Sequence, residues 1–168
     1  FSTLTPIDDT KRIEIDLLEL VLQQRLTERI REELSASYSP FAYAELVEDP
    51  EQTVELRIQI SGDPAGLDEV VEQTLAELTD LRTAGPTTDE LAIAQEQLRR
   101  EYELVSNELL SGAVIFAAEH PGQSLSQVVD RVDQTNDPTR SDIRDLANEL
   151  LPADRYIVIR LVPEGFAQ

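Results

Sequence analysis

The chain has 168 residues, 40% of them hydrophobic and only 6 of them glycine, which fits one folded domain around a single core. Its 34 acidic residues against 14 basic ones give a formal net charge of -20, which excludes the clustered cations that nucleic acid or an anionic membrane surface requires. There is no cysteine, so disulfides and thiolate metal sites are excluded as well, and no apolar run approaches the ~18 residues of a membrane span.

The first residues, Phe1 to Pro6, lack the basic and apolar segments of a secretory signal and leave the compartment open. Without an initiator Met, the chain is expected to be a fragment of a larger, multi-domain protein. Residues 1–7 are expected to be a linker or a frayed end, because Pro6 disfavours helix before it. Asp8 or Asp9 can cap a helix running to about Leu34. Leu18, Leu22, Leu26, Ile30 and Leu34 recur every four residues, and Ile15, Leu17 and Val21 widen the stripe. At 1.5 Å per residue such a helix spans nearly ~40 Å, enough to cross a whole sheet.

Two strands follow. Phe41 to Val47 is one, and Thr53 to Ser61 is the clearer, with Val54, Leu56, Ile58 and Ile60 alternating with Glu55, Arg57 and Gln59. The five residues between them make a hairpin loop, so the pair is expected to be antiparallel. Gly62-Asp63-Pro64 then supplies a turn, a cap and a first helical position. The next helix carries Leu67, Val70, Val71, Leu75, Leu78 and Leu81 and stops at Gly85-Pro86. Thr87 and Glu90 form a capping box that opens a further helix with Leu91, Ala94, Leu98, Tyr102, Val105 and Leu109 on one stripe. These two helices are expected to form a hairpin packed on one face of the sheet.

Ser111-Gly112 interrupts the pattern. A short buried helix is expected from Ala113 to Glu119, closed by His120-Pro121-Gly122. Further short helices are expected at Leu125–Asp133 and Thr139–Leu151. The run from Arg155 to Val162 has apolar residues on both faces, as for a strand inside a sheet. The fold class is therefore α+β: an antiparallel or mixed sheet covered by a long helix, a helical hairpin and short helices. Three strands are thin for so many helices, so further strands are expected upstream of Phe1 or from a partner.

Hydrolytic chemistry finds no foothold in the chain. His120 is the only histidine, so no two-His zinc site can be built, and its place before a Pro-Gly turn suits a loop histidine. No phosphate loop, nucleophile elbow or EF-hand spacing occurs. Asp68-Glu69 and Asp89-Glu90 lie near helix N-termini, where the helix dipole explains them. One pair stands out: Arg31 in the last turn of the long helix and Tyr38 beyond the break. Both donate hydrogen bonds at neutral pH, so a point on which they converge suits a carbonyl oxygen or an oxyanion. They equally fit an arginine that complements a helix C-terminus and an ordinary strand aromatic.

Several stretches together resemble the pitrilysin/insulinase family of zinc metallopeptidases, in a C-terminal-type domain without the metal motif. Arg29-Ile30-Arg31-Glu32-Glu33-Leu34 followed by Tyr38-Ser39-Pro40 is similar to the family's "RE…YS" corner. The run from Leu81 through Gly85-Pro86-Thr87 and Glu90-Leu91 to Leu98 is similar to its "L…G.T..EL..AK..L" signature, with Gln95 where a lysine is common. Asp142-Ile143 and Tyr156 to Pro163 resemble the usual ending, and Ser39-Pro40 with the Asn107 region resembles bacterial PqqL-type members.

The resemblance implies a clam-shell enzyme of two related halves, with zinc held by an inverted H-x-x-E-H motif on the half this chain does not represent. It implies that Arg31 and Tyr38 bind the peptide or protein substrate and its scissile carbonyl. This chain alone is then expected to be inactive and to bind no cofactor, with zinc on a partner half of the same chain or another subunit. The alternative is a structural or assembly module that kept the fold and lost peptide hydrolysis.

Overall fold

The structure, a computed structural model, describes residues 1–34, 39–47, 51–119 and 125–164; of 30–34, 106–119 and 125–129 it describes the backbone alone. The chain runs β1 (Ser2–Leu4), α1 (Asp9–Leu34), β2 (Ser39–Val47), β3 (Thr53–Ser61), α2 (Leu67–Ala84), α3 (Thr88–Glu119), α4 (Leu125–Gln134) and α5 (Arg140–Leu150). The strands form one antiparallel sheet in the order β1-β3-β2, with Ala42 opposite Ile58 and Thr3 opposite Val54. The α+β class and the long helix over the sheet stand as expected.

Helix α1 is the axis of the molecule. Asp8 caps it, accepting from the Lys11 amide at 2.8 Å. Ile13, Ile15, Leu17, Leu18, Val21, Leu22 and Leu26 are each at most 2% exposed, and at 100° per residue they cover well over half the helix circumference. A helix apolar over so wide an arc has to be buried on more than one side. One side meets Ala42, Val54 and Leu56 of the sheet; the other meets Leu78, Leu81, Leu91, Leu98, Ile143 and Leu146 of the remaining helices.

That layering corrects the expected helical hairpin. Helices α2 and α3 do not pack against each other: α2 rests on α1 and α5, and α3 on α1 and α4, neither of them directly on the sheet. The α1 stripe is wide enough to seat both, so their leucines are buried without a hairpin contact.

Three further expectations change. Residues 2–4 are a strand instead of a linker: Phe1 and Leu56 exchange backbone hydrogen bonds, at 3.1 Å from the Phe1 ammonium and 3.0 Å from the Leu56 amide. Three residues are too few for alternation to show in sequence. Helix α3 continues through Ser111-Gly112 to Glu119, because a single helical glycine costs only about 1 kcal/mol and a 32-residue ladder carries it. Finally, Arg155–Val162 is not a strand. Among the described residues no strand pairs with it, and Ile157, Ile159 and Leu161 are exposed. An Arg160–Asp68 ion pair at 2.8 Å and a Phe1–Tyr156 ring contact at 5.6 Å hold it instead. Apolar β-branched composition favours a strand, but only a ladder partner makes one.

Candidate functional site

The backbone of Arg31 lies in the last turn of α1, which ends at Leu34. Its side chain and all of Tyr38 lie outside the described residues, so the site is built from what places this helix end and the strand after it. His120 also lies outside.

Arg25, one and a half turns before Arg31, is buried at the centre of a four-point clamp. Its Nε and Nη2 donate to the two carboxylate oxygens of Glu90, at 2.6 and 2.9 Å. Its Nη1 reaches Asp80 at 2.8 Å, and Nη2 also reaches the Gly85 carbonyl at 3.0 Å. The fork of a guanidinium is made for such bidentate pairing. Burial alone would lower the Arg25 pKa, but Glu90 and Asp80 outweigh it and raise it. Glu90 is likewise penalised by burial and then lowered overall by Arg25 and by Thr87.

The carboxylate of Glu90 therefore serves two elements. It closes the capping box of α3, accepting from the Thr87 amide at 2.6 Å while the Thr87 hydroxyl accepts from the Glu90 amide at 3.1 Å. The same group receives Arg25. Gly85 shapes this corner: its φ is +71°, and an added Cβ would lie 3.0 Å from Arg144 Cβ and 3.1 Å from the Arg140 carbonyl oxygen. Only glycine meets both demands. One turn after Arg25, Arg29 pairs with Glu77 at 2.7 Å. The last third of α1 is thus pinned to the α2–α3 corner.

Side chains of α1 also reach the start of β2. Gln23 accepts from the Ala42 amide at 2.8 Å and donates to the Pro40 carbonyl at 3.1 Å, while Glu19 accepts from the Ala44 amide at 2.7 Å. The helix and the strand on either side of residues 35–38 are therefore tied to each other. At the other end of α1, Tyr102 donates to Asp16 and the buried Arg131 pairs with Asp9 at 2.6 Å. Burial pushes the Asp16 carboxyl up more than Tyr102 and the nearby arginines pull it down.

Sequence reading picked out Thr87, Glu90 and Gly85 for their local roles but passed over Arg25, Gln23 and Glu19. The signal for Arg25 was an arginine set between Leu22 and Leu26, on a stripe that has to be buried. No such signal marks Gln23 or Glu19, whose partners lie 17 to 25 residues away. As for a metal, among the described residues no three His, Cys, Asp or Glu side chains cluster so as to hold one. The described residues do not fit zinc.

Residues 3–98, which span α1, the sheet, the Arg25 clamp and the start of α3, match the family described as the peptidase M16 inactive domain. The chain belongs to this family. No curated protein matches it. Among solved structures it is similar to the periplasmic protease PqqL from Escherichia coli, with 16% identity, a TM-score of 0.67, and 89% of this chain and 16% of that chain covered. It is also similar to a peptidase M16 inactive domain from Pseudomonas fluorescens, with 18% identity, a TM-score of 0.67, and coverage of 91% and 37%. A putative zinc protease from Bordetella pertussis Tohama I matches with 13% identity, a TM-score of 0.68, and coverage of 94% and 91%. At these identities the structures speak for the fold. The chain spans only 16% of the PqqL chain.

Proposed function

We propose that this inactive M16 domain is the substrate-holding part of a two-part zinc metallopeptidase. Arg31 and Tyr38 bind an extended peptide and donate hydrogen bonds to its scissile carbonyl, and zinc is held by another domain of the same chain or by a partner subunit. The observation that carries this reading is the family match over residues 3–98, which includes the helix-end corner where an arginine and a tyrosine stand seven residues apart. The clamp on Arg25 and the bonds from Gln23 and Glu19 support it, because a donor pair aids catalysis only if its scaffold is fixed beforehand. What these two residues can do is bind, orient and polarise.

The test uses the intact protein with a peptide substrate. Tyr38→Phe and Arg31→Ala should each lower turnover by roughly 10²–10³, the usual effect of removing an oxyanion donor, with zinc content and unfolding midpoint unchanged. Turnover at the wild-type rate in both variants overturns the assignment. An intact protein with no peptidase activity, and no H-x-x-E-H motif in its gene or a neighbouring one, makes the domain a scaffold.

A further inference from the structure

Gln23 bonds Pro40 and Ala42 of β2, and Glu19, one turn earlier on α1, bonds Ala44. Residue numbers fall along the helix as they rise along the strand, so β2 runs antiparallel to α1. Its start therefore lies towards the end of α1 that carries Arg31. Gln23, Thr27 and Arg31 follow at four-residue spacing, which puts their backbones in one row on the helix. Arg31 stands two turns, about 12 Å, beyond Gln23, and Tyr38 is separated from Pro40 by at most about 7 Å of chain. We propose that Gln23 is the positioning residue of this corner: its amide sets how far along α1 the strand begins, and through that the separation of Arg31 and Tyr38. This rests on the role proposed above for those two residues and adds the group that spaces them.

The bonding of Gln23 goes beyond what an edge cap needs. Its Oε1 accepts from the Ala42 amide at 2.8 Å, while its Nε2 donates to the Pro40 carbonyl at 3.1 Å and to the Thr27 hydroxyl at 2.9 Å. The Thr27 hydroxyl spends its own hydrogen on the Gln23 carbonyl at 2.7 Å, so towards the side-chain amide it can only accept. That chooses the orientation of the amide. Turned over, Oε1 would meet the Pro40 carbonyl and the Thr27 lone pairs, and Nε2 would meet the Ala42 amide.

Gln23 is only half-buried, so water could satisfy the two outward groups of β2 without it. What water cannot supply is a fixed reach from the helix. A slip of β2 by one residue would carry its start about 3.3 Å along α1, and a misplacement of about 1 Å at a reacting contact can cost about 10² in rate.

The first test uses the intact protein with a peptide substrate. Gln23→Leu keeps the bulk and removes the side-chain bonds; it should lower kcat about tenfold and leave KM within about twofold. In a Tyr38→Phe background the same change should lower kcat no further, because the donor it positions is already gone. Thr27→Val keeps the shape of the side chain and frees the Gln23 amide. It should act in the same direction by about threefold, and it replaces Gln23→Leu if that variant folds poorly. The second test needs no turnover. The chain has no cysteine, so Arg31→Cys with Tyr38→Cys supplies its only two thiols. A short bis-maleimide should bridge them at least about threefold more slowly once Gln23→Leu is added. Unchanged kcat in both single variants, losses that add to that of Tyr38→Phe, or equal bridging rates overturn the inference. Wild-type turnover in Tyr38→Phe instead overturns the proposed function, and the bridging rate then decides the role of Gln23.

Discussion

Two charged side chains of helix α1, the buried Arg25 and the partly buried Asp16, are treated in opposite ways. Arg25 is met by two carboxylates and a carbonyl, and its charge is held more firmly than in water. Asp16 receives the Tyr102 hydroxyl with Arg12 and Arg131 nearby, yet burial still wins and its pKa is raised. Burial takes hydration from both. The difference lies in how well that hydration is replaced by directed, charge-assisted bonds. The well-replaced charge sits at the end of α1 that leads into the candidate site.

The largest expected effect comes from removing Arg25. Arg25→Ala leaves Glu90 buried without its partner and should cost about 3 kcal/mol in urea unfolding; this is the low end for a broken buried pair, because Asp80 is 59% exposed and remains solvated. A loss under about 1 kcal/mol would mean that the clamp contributes no more than a surface ion pair. Gly85→Ala should cost about 2 kcal/mol, from a positive φ and from the close approach of Arg144 and Arg140. Tyr102→Phe removes a donor from a partly buried carboxyl and should cost about 1–2 kcal/mol at neutral pH.

The smallest effect carries the sharpest sign. The folded-state pKa of Asp16 is raised, so its ionised form opposes folding above that pKa, and the opposition fades as pH falls towards the unfolded value. Asp16→Asn should therefore stabilise the protein by under about 1 kcal/mol at pH 7, with the gain closing by about pH 4. Glu90 runs the other way. Its folded pKa is lowered, so its contribution is present above the unfolded value and lost as pH falls through the folded one. The acid limb of the stability curve should be shallower in Arg25→Ala than in wild type. Equal slopes would show that Glu90 is not held by Arg25.

Much of the fold was legible because its signals are local. The α1 stripe, the Val54 to Ile60 alternation, the Thr87/Glu90 box and the break at Gly85-Pro86 each occupy a few consecutive residues. The Thr139–Leu151 helix was found on the same grounds, and Thr139 caps it with Asp142. The misreadings were cases where a local signal needed a distant partner to decide it. Arg155–Val162 has the composition of a strand and, among the described residues, no ladder, whereas Ser2–Leu4 has almost no signal and pairs with β3.

The candidate site divides in the same way. Sequence by itself determined the residue types and their spacing: a helix ending at Leu34, Arg31 in its last turn, Tyr38 beyond it, and no second histidine for a zinc site. Tertiary structure alone decided that α1 lies between the sheet and the other helices. It also decided that Arg25 reaches Glu90, 65 residues on, and that Gln23 bonds the Ala42 amide and the Pro40 carbonyl of β2. A side chain's identity fixes what it can bond. Which group it meets depends on where the rest of the chain has packed, and no pattern along a single helix records that.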